Sequence, residues 1–151
     1  MDYRFEEDRD LEAGVIDVLV RSQKMTPDVQ SLIDYLSIYE AEAPAILPIK
    51  TNDRIEMLKV EDLVFVDVDG NSLILETLKG RYLINDRLYK FKQRLNNPDF
   101  VQVSKHALLN INHLEALEAS FSGNMLAILI DKRKLDVSRR YLVNLEKRLG
   151  L

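Results

Sequence analysis

Apolar residues alternate with polar ones through the middle of the chain, which is the pattern of strands with one buried face. Four short runs of this kind follow one another, at Ile55 to Leu58, Leu63 to Val68, Ser72 to Thr77 and Arg81 to Ile84. Asp69, Gly70 and Asn71 separate the second run from the third, and this composition is typical of a tight hairpin turn. The middle of the chain is therefore expected to be rich in strands.

A helix is predicted after these strands, because Leu88, Phe91 and Leu95 recur at helical spacing. We expect Asn85 or Asp86 to cap it, and residues 96 to 98, two asparagines and a proline, to end it. Its outer face would carry three basic residues, Arg87, Lys90 and Arg94.

The last third of the chain is predicted to contain further strands and a closing helix. A strand starts at Phe100, and an irregular stretch follows from Lys105 to Asn112. Three more strands are expected near Leu117 to Phe121, Ala127 to Ile130 and Lys134 to Val137. The final helix begins at Ser138.

The first 45 residues are predicted to form a small strand-strand-helix segment. Tyr3 to Phe5 and the β-branched run Val15 to Val20 favour extended structure. Thr26 can cap a helix that starts at Pro27, where proline needs no hydrogen-bond donor, and the apolar spacing carries this helix to about residue 42. Prolines 44 and 48 are expected to lie in the exit from the helix.

The composition is that of an ordinary soluble domain, with 46% hydrophobic and 30% charged residues over 151 positions. The charged start has no apolar core of signal-peptide length, and no run approaches the roughly 18 apolar residues of a membrane span. The absence of cysteine excludes disulfides and suits a reducing cytosol. We expect a cytoplasmic protein without membrane insertion.

Charge is distributed unevenly along the chain, although the net charge is only -4. Residues 1 to 46 hold 11 acidic and 4 basic side chains, whereas residues 79 to 151 hold 14 basic and 7 acidic ones. A basic second half suits a nucleic-acid partner. Similar asymmetry is also common in proteins that bind no nucleic acid.

No active site stands out in the sequence. Asp67 to Ser72 begins like a calcium-binding loop, but Ser72 stands where that loop needs glycine and Leu78 where it needs glutamate. His106 and His113 lack acidic partners at metal-ligand spacing, and no nucleophile elbow or phosphate-binding glycine loop is present. We therefore expect no enzyme, metal or cofactor, with a paired-carboxylate glycosidase as the alternative that 25 acidic residues leave open.

Two basic stretches are candidates for contact with an anion. Ser138 at a helix start leaves backbone N–H groups for a phosphate, and the arginines after it carry planar forks that can read guanine. An exposed helix start with solvated arginines is the simpler interpretation. Asp131 to Lys134 is expected to be a charged, exposed turn.

Taken in order, these elements resemble the LytTR family of DNA-binding domains. The resemblance rests on Val60 to Phe65, on Arg81 to Leu95, on Phe100 to Asn112 (FVQVSKHALLNIN) and on Leu135 to Leu142 (LDVSRRYL). It implies a mainly β fold with short helices, of class α+β: a LytTR-type β-sheet domain at 46–151, preceded by the strand-strand-helix segment at 1–45.

The resemblance also implies a transcriptional regulator that inserts loops into the major groove of promoter DNA. Three loops carry the contacts in that family, and they fall here on Gly70 to Ser72, on Ser104 to His106, and on Arg139 with Arg140. Lys105 and Arg140 are the expected base contacts.

The remaining predicted residues are weaker candidates for DNA contact or have a structural role. Asn71 is a second candidate for base contact, whereas Arg139 and Lys132 are expected to meet phosphates. Asn110 is expected to fix the turn that presents Lys105.

One departure from the family pattern supports an alternative function. Many relatives have histidine, arginine and serine where this chain has Ser104, Lys105 and His106. Lysine lacks the bidentate fork of arginine, so it attracts phosphate but discriminates bases less well. The alternative is a LytTR-shaped module that binds other proteins without reading DNA.

The expected partners are double-stranded promoter DNA, with repeated half-sites, and a second copy of the chain. Many LytTR proteins carry a phosphorylated receiver domain in front, which is much longer than the roughly 46 residues found here. We therefore expect an input other than aspartyl phosphorylation. The acidic front segment is expected to pack on the domain or on a second subunit.

Overall fold

The computed structural model describes residues 1–39 and 43–151, which belong to a front unit, Met1–Glu40, and a larger unit, Ala41–Leu151. The front unit contains one helix, α1 (Pro27–Tyr39), which starts where predicted. The Thr26 hydroxyl accepts a hydrogen bond from Val29 N–H at 3.3 Å and so caps the first turn. The predicted extension over residues 40 to 42 lies outside the described residues.

Of the predicted strand-strand-helix segment, residues 1–39 contain the helix alone. Tyr3 and Phe5 are almost fully exposed, and Ile16 and Leu19 of the β-branched run are 73% and 70% exposed. A strand is stable only when its backbone groups pair with a neighbour, and no strand among the described residues 1–39 runs beside either stretch. High β-propensity therefore does not produce strands here.

Ten strands, arranged in three antiparallel sheets, form the framework of the described part of the larger unit. A two-stranded sheet pairs β1 (Ile46–Lys50) with β2 (Ile55–Lys59). The five-stranded sheet has the order β5-β4-β3-β7-β6, from β3 (Leu63–Asp69), β4 (Ser72–Thr77), β5 (Gly80–Ile84), β6 (Phe100–Ser104) and β7 (Ala107–Asn110). The third sheet has the order β10-β9-β8, from β8 (Leu114–Ala119), β9 (Met125–Leu129) and β10 (Lys134–Val137).

Two α-helices and three short 3-10 turns complete residues 43–151. The helices are α2 (Leu88–Leu95) and α3 (Arg139–Leu149), and the 3-10 turns are Val60–Asp62, Ile111–His113 and Ile130–Lys132. None of the described helices is long and apolar enough to cross a membrane.

All four alternating runs form strands, as predicted, but two other strands were not expected. β1 contains Pro48, which is tolerated because β1 pairs with β2 alone and can turn its missing donor outward. β7 lies in the stretch that was predicted to be irregular. It pairs with β3 on one side and β6 on the other, so tertiary pairing decides its structure.

The second helix ends as predicted but does not start with the predicted cap. Asn96 adopts the left-handed conformation, with φ of 42°, and closes the helix with a bond from its N–H to the Lys92 carbonyl. At the start, the N-cap residue is Arg87, whose side chain makes no capping bond. The Asp86 carboxylate accepts from Arg87 N–H at 2.7 Å, one residue too early to cap the helix.

The five-stranded sheet is covered by apolar side chains on both faces. One cluster includes Ile49 of β1, Phe91 of α2 and Leu108 of β7. The other includes Leu109 of β7 together with residues of the three-stranded sheet and Leu145 of α3. Because adjacent residues of β7 point to opposite faces, this strand contributes to both clusters.

Asn110 is a buried polar residue, with 2% of its surface exposed, and it has a structural role at a different turn from the one predicted. Its Nδ2 donates to the Leu63 carbonyl at 2.9 Å, and its Oδ1 accepts from Asn112 N–H at 3.0 Å. These bonds join β7 to β3 and fix the 3-10 turn after β7. The turn that holds Lys105 lies at the other end of this strand, so the prediction that Asn110 fixes it is wrong.

We expect Asn110→Ala to lower the free energy of unfolding by about 2 kcal/mol, because it leaves a buried carbonyl and a backbone N–H without partners. Urea unfolding measures this change in the free energy of unfolding. The matched control is Asn112→Ala, which removes an exposed side chain bonded to the Asp99 carboxylate at 2.9 Å and should cost less than about 1 kcal/mol. Equal losses for the two variants would contradict this role for Asn110.

Candidate nucleic-acid interface

Two hairpin turns of the five-stranded sheet lie side by side. β3 runs into the turn at Gly70 and Asn71, and β7 starts at Ala107, directly opposite Asp67 of β3. The Val68 N–H donates to the His106 carbonyl at 2.9 Å, which fixes the β6–β7 turn next to the end of β3. Both turns are therefore at the same end of the sheet.

The start of α3 lies at this end as well. The Ser138 N–H donates to the Val103 carbonyl at 2.9 Å, and Val103 lies in β6 just before the turn. We call the resulting surface the loop face; it consists of residues 70–71, 104–106 and 138–140. The structure thus brings together the three loops that were predicted from the sequence.

The loop face presents polar side chains that are free to contact a partner. Asn71, Lys105 and Arg140 are exposed, and within the described part of the chain none of these three side chains takes part in a hydrogen bond or ion pair. His106 is exposed beside Lys105. One amide and three potential cations are therefore available at this end of the domain.

Ser104 builds the turn that presents Lys105. Its hydroxyl accepts from His106 N–H at 3.1 Å, and its carbonyl accepts from the Gln102 side chain at 3.0 Å. A serine that bonds to the backbone two residues later stabilises a tight turn. Ser104 therefore has the role that was predicted for Asn110.

Ser138 is the N-cap residue of α3, as predicted, but its side chain does not cap the helix. Its hydroxyl is buried and has no hydrogen-bond partner among the described residues. Arg139 turns away from the helix start, and its Nε donates to the Gly123 carbonyl at 2.7 Å. The two adjacent arginines therefore differ, because Arg139 is held by a neighbouring turn and Arg140 is not.

Lys132 is the one predicted contact that the structure does not bring to the loop face. It is exposed, with φ of 60°, in the turn between β9 and β10. The next residue, Arg133, donates to the Thr77 carbonyl at 2.9 Å, and Thr77 is the end of β4 remote from the Asn71 turn. Lys132 therefore lies at the opposite end of the domain.

Two carboxylates on β3 reduce the positive charge of the loop face. Burial raises the pKa of Asp67 above its usual value, while a hydrogen bond from the Val68 backbone and the positive charge of His106 act in the opposite direction. Asp69 is exposed at the end of the same strand. These acidic groups reduce the positive potential near His106.

A separate concave region lies at the other end of the five-stranded sheet. This cavity of about 460 Å³ is bordered by Phe100 and Asn110, and its charged residues are Lys59 and Glu61. Lys105 and Arg140, the two predicted base contacts, are exposed at the loop face instead.

The sequence did not predict that the β8–β9 turn lies at the same end of the domain as the loop face. The strand predicted to reach Phe121 ends at Ala119, and residues 120–124 form a turn with Phe121 fully exposed. Serine, glycine and asparagine at 122–124 are the sequence signal for that turn.

A strand-rich domain that gathers basic and amide side chains on neighbouring loops has the features of a nucleic-acid-binding domain. The family model of the LytTr DNA-binding domain matches residues 53–150. The chain therefore belongs to the LytTR DNA-binding domain family, as its sequence elements predicted.

Relatives and a solved structure agree with this assignment. The sensory transduction protein LytR of Streptococcus agalactiae is 29% identical over 106 residues, and the transcriptional regulatory protein LytR of Staphylococcus aureus is 23% identical over 105 residues. Each match covers 70% of this chain but only 43% of the relative, so less than half the length of those proteins is matched.

The LytTr DNA-binding domain of a response regulator from Bacillus cereus has the same fold. Its TM-score is 0.64 at 17% identity, and the match covers 72% of this chain and 99% of that chain. The predicted mainly β, LytTR-type fold is confirmed.

We expect Asp67→Asn to raise the free energy of unfolding at neutral pH and to flatten its pH dependence. Because burial raises the pKa of Asp67, folding disfavours its ionised form, and stability falls as the pH rises from the usual pKa of the carboxyl through the folded value. Thermal unfolding across this acidic range tests the prediction. Asp69→Asn removes an exposed charge from the same strand and is the control; lower stability of Asp67→Asn at every pH would contradict the expected effect.

Proposed function

We propose that this protein is a sequence-specific transcriptional regulator whose loop face enters the major groove of promoter DNA. The observation that carries the proposal is the convergence of three loops with unpaired Asn71, Lys105 and Arg140 at one end of a LytTR domain. Exposed cations on rigid loops attract the phosphate backbone, and their hydrogen-bonding groups can then reach base edges.

Arg140 is the side chain best suited to read a base. Its planar fork matches the N7 and O6 acceptors of guanine, and no intramolecular bond has to break before it binds. Lys105 supplies a mobile charge on the neighbouring turn and is assigned to a base or to the phosphate beside it. Asn71 can pair with adenine by its amide group.

The phosphate contacts are assigned to the start of α3. Arg139 uses its Nε to hold Gly123, so its remaining N–H groups are the ones that would meet a phosphate. Lys132 is left out of the proposed interface because of its position at the opposite end of the domain.

A protein-binding module of the same shape is the second candidate function. The acidic front unit and the lysine at position 105 favour it, because neither is suited to base discrimination. One experiment separates the DNA-binding regulator from the protein-binding module. Purified protein selects bound fragments from the genome, and its affinity is then measured for the enriched sequence and for random duplex at moderate salt. No preference for the enriched sequence would favour the protein-binding module.

We expect Arg140→Ala to weaken binding to the selected duplex by about 1–3 kcal/mol and to relax specificity at one base pair. Fluorescence anisotropy with a labelled duplex and a panel of single-base changes measures both effects. The matched control is Lys132→Ala, which removes one exposed cation far from the loop face and should change affinity little. A loss for Lys132→Ala as large as that for Arg140→Ala would remove the basis for the proposed interface.

We expect Lys105→Ala to make the plot of log affinity against log salt concentration less steep, by the amount that corresponds to about one phosphate contact. Titrations at several salt concentrations provide the slope. Lys105→Arg restores the charge and adds a bidentate fork, so it should recover the slope and sharpen discrimination between bases. An unchanged slope in the alanine variant would show that Lys105 lies outside the contact.

We also propose that the front segment, residues 1–45, packs on the domain or on a second copy of the chain to form a homodimer. Its negative charge is complementary to the basic second half, and α1 carries the exposed aromatic residues Tyr35 and Tyr39. DNA with repeated half-sites would suit such a dimer.

We expect removal of residues 1–45 to lower the number of copies per particle in solution or the thermal stability of the remaining domain. Light scattering coupled to size exclusion measures the mass, and calorimetry measures the stability. The full chain with Tyr35→Ala and Tyr39→Ala is a milder companion variant. The same number of copies per particle and unchanged melting for the shortened chain would contradict the packing role.

A further inference from the structure

Phe121 is an exposed aromatic residue that lies outside the three predicted loops. It lies at the tip of the β8–β9 turn and is fully exposed. Single exposed apolar residues are common on protein surfaces, so exposure alone has no functional meaning. Phe121 is of interest because its turn is closed by hydrogen bonds and lies beside the loop face.

The turn is closed by several hydrogen bonds. Ser120 N–H donates to the Asn124 carbonyl at 2.9 Å, and Gly123 N–H donates to the Ser120 carbonyl at 3.1 Å. The hydroxyl groups of Ser120 and Ser122 lie 2.7 Å apart. The backbone of such a closed turn is already ordered, so it loses little freedom when the exposed ring at its tip is bound.

The turn stands beside the start of α3. Ala119 and Met125, which flank the turn, pair with each other, and Met125 also pairs with Val137 just before Ser138. The bond from Arg139 Nε to the Gly123 carbonyl ties the turn directly to the loop face. Gly123 has φ of +78°, and a Cβ there would lie 1.9 Å from Arg139 Nη2, so glycine is required for this approach.

We propose that residues 120–124 form a fourth DNA-contacting loop and that Phe121 acts as an apolar wedge at a base step next to the site of Arg140. This inference rests on the proposed function. The turn carries no acidic residue, and its two serines and its asparagine can donate hydrogen bonds to phosphates on either side of the ring. In proteins that bind the minor groove, phenylalanine is among the side chains that enter the stack of a duplex and kink it.

The test uses the full chain and a duplex that contains the selected site with 2-aminopurine placed at successive steps. Wild-type protein should increase the 2-aminopurine fluorescence at one step beside the Arg140 contact, because unstacking relieves quenching. Phe121→Ala should abolish this increase and weaken binding about tenfold, with an unchanged salt slope because no charge is lost. Phe121→Leu keeps an apolar wedge and should retain most of the signal.

A second variant tests the geometry of the turn separately from the ring. Gly123→Ala should displace Arg139 and the turn, and so reduce the fluorescence signal although Phe121 is still present. Thermal unfolding verifies that each variant is folded; loss of folding in Gly123→Ala leaves the Phe121 variants as the deciding measurement.

The outcomes separate this inference from the proposed function. If wild-type protein binds the selected site and Arg140→Ala weakens binding, while Phe121→Ala matches wild type in affinity and fluorescence, the fourth loop is overturned and the regulator proposal stands. If Phe121→Ala changes only the mass of the protein measured by light scattering without DNA, the ring is a contact between protein copies and the wedge is overturned. Absence of any site preference in wild-type protein would instead overturn the proposed function.

Discussion

The hydrogen bond from Ser138 N–H to the Val103 carbonyl joins the start of the last helix to the end of a strand in the five-stranded sheet. A second bond, from Val68 N–H to the His106 carbonyl, aligns the neighbouring turn in the same way. Both are backbone bonds, so the arrangement of the three loops does not depend on the side chains exposed at their tips. A domain built in this way can change what it recognises without changing how its loops are placed.

Charge separation explains how an acidic protein can present a basic surface. The cations without partners at the loop face belong to the basic second half, and the excess of carboxylates belongs to the front unit. Other basic residues of the second half are already engaged: Arg94 donates to the Pro48 carbonyl, and Arg148 pairs with Asp99 at 2.7 Å. The net charge therefore says little about the surface that would meet DNA, since pairing decides which cations remain available.

The sequence predicts the parts of this fold that local pattern determines. The four alternating runs become strands, Thr26 caps α1, and the Leu88 to Leu95 helix ends at Asn96. The errors occur where tertiary pairing overrides local preference: the β-branched run at 15–20 finds no partner strand, whereas the short β7 finds two. The three loops predicted from the sequence lie at one end of the domain, but only the three-dimensional structure shows that Lys132 lies at the other end and that Arg139 is held by Gly123.

All four residues of β7 are buried, and successive residues supply opposite clusters of the core. A substitution in this strand affects one side of the sheet, but the gain or loss of one residue would turn every later side chain of the strand to the wrong side and disturb both clusters together. The spacing between the turn at 104–106 and Asn110 is therefore fixed by the interior of the protein. Among proteins with this architecture, the residue types in this stretch should vary far more readily than its length.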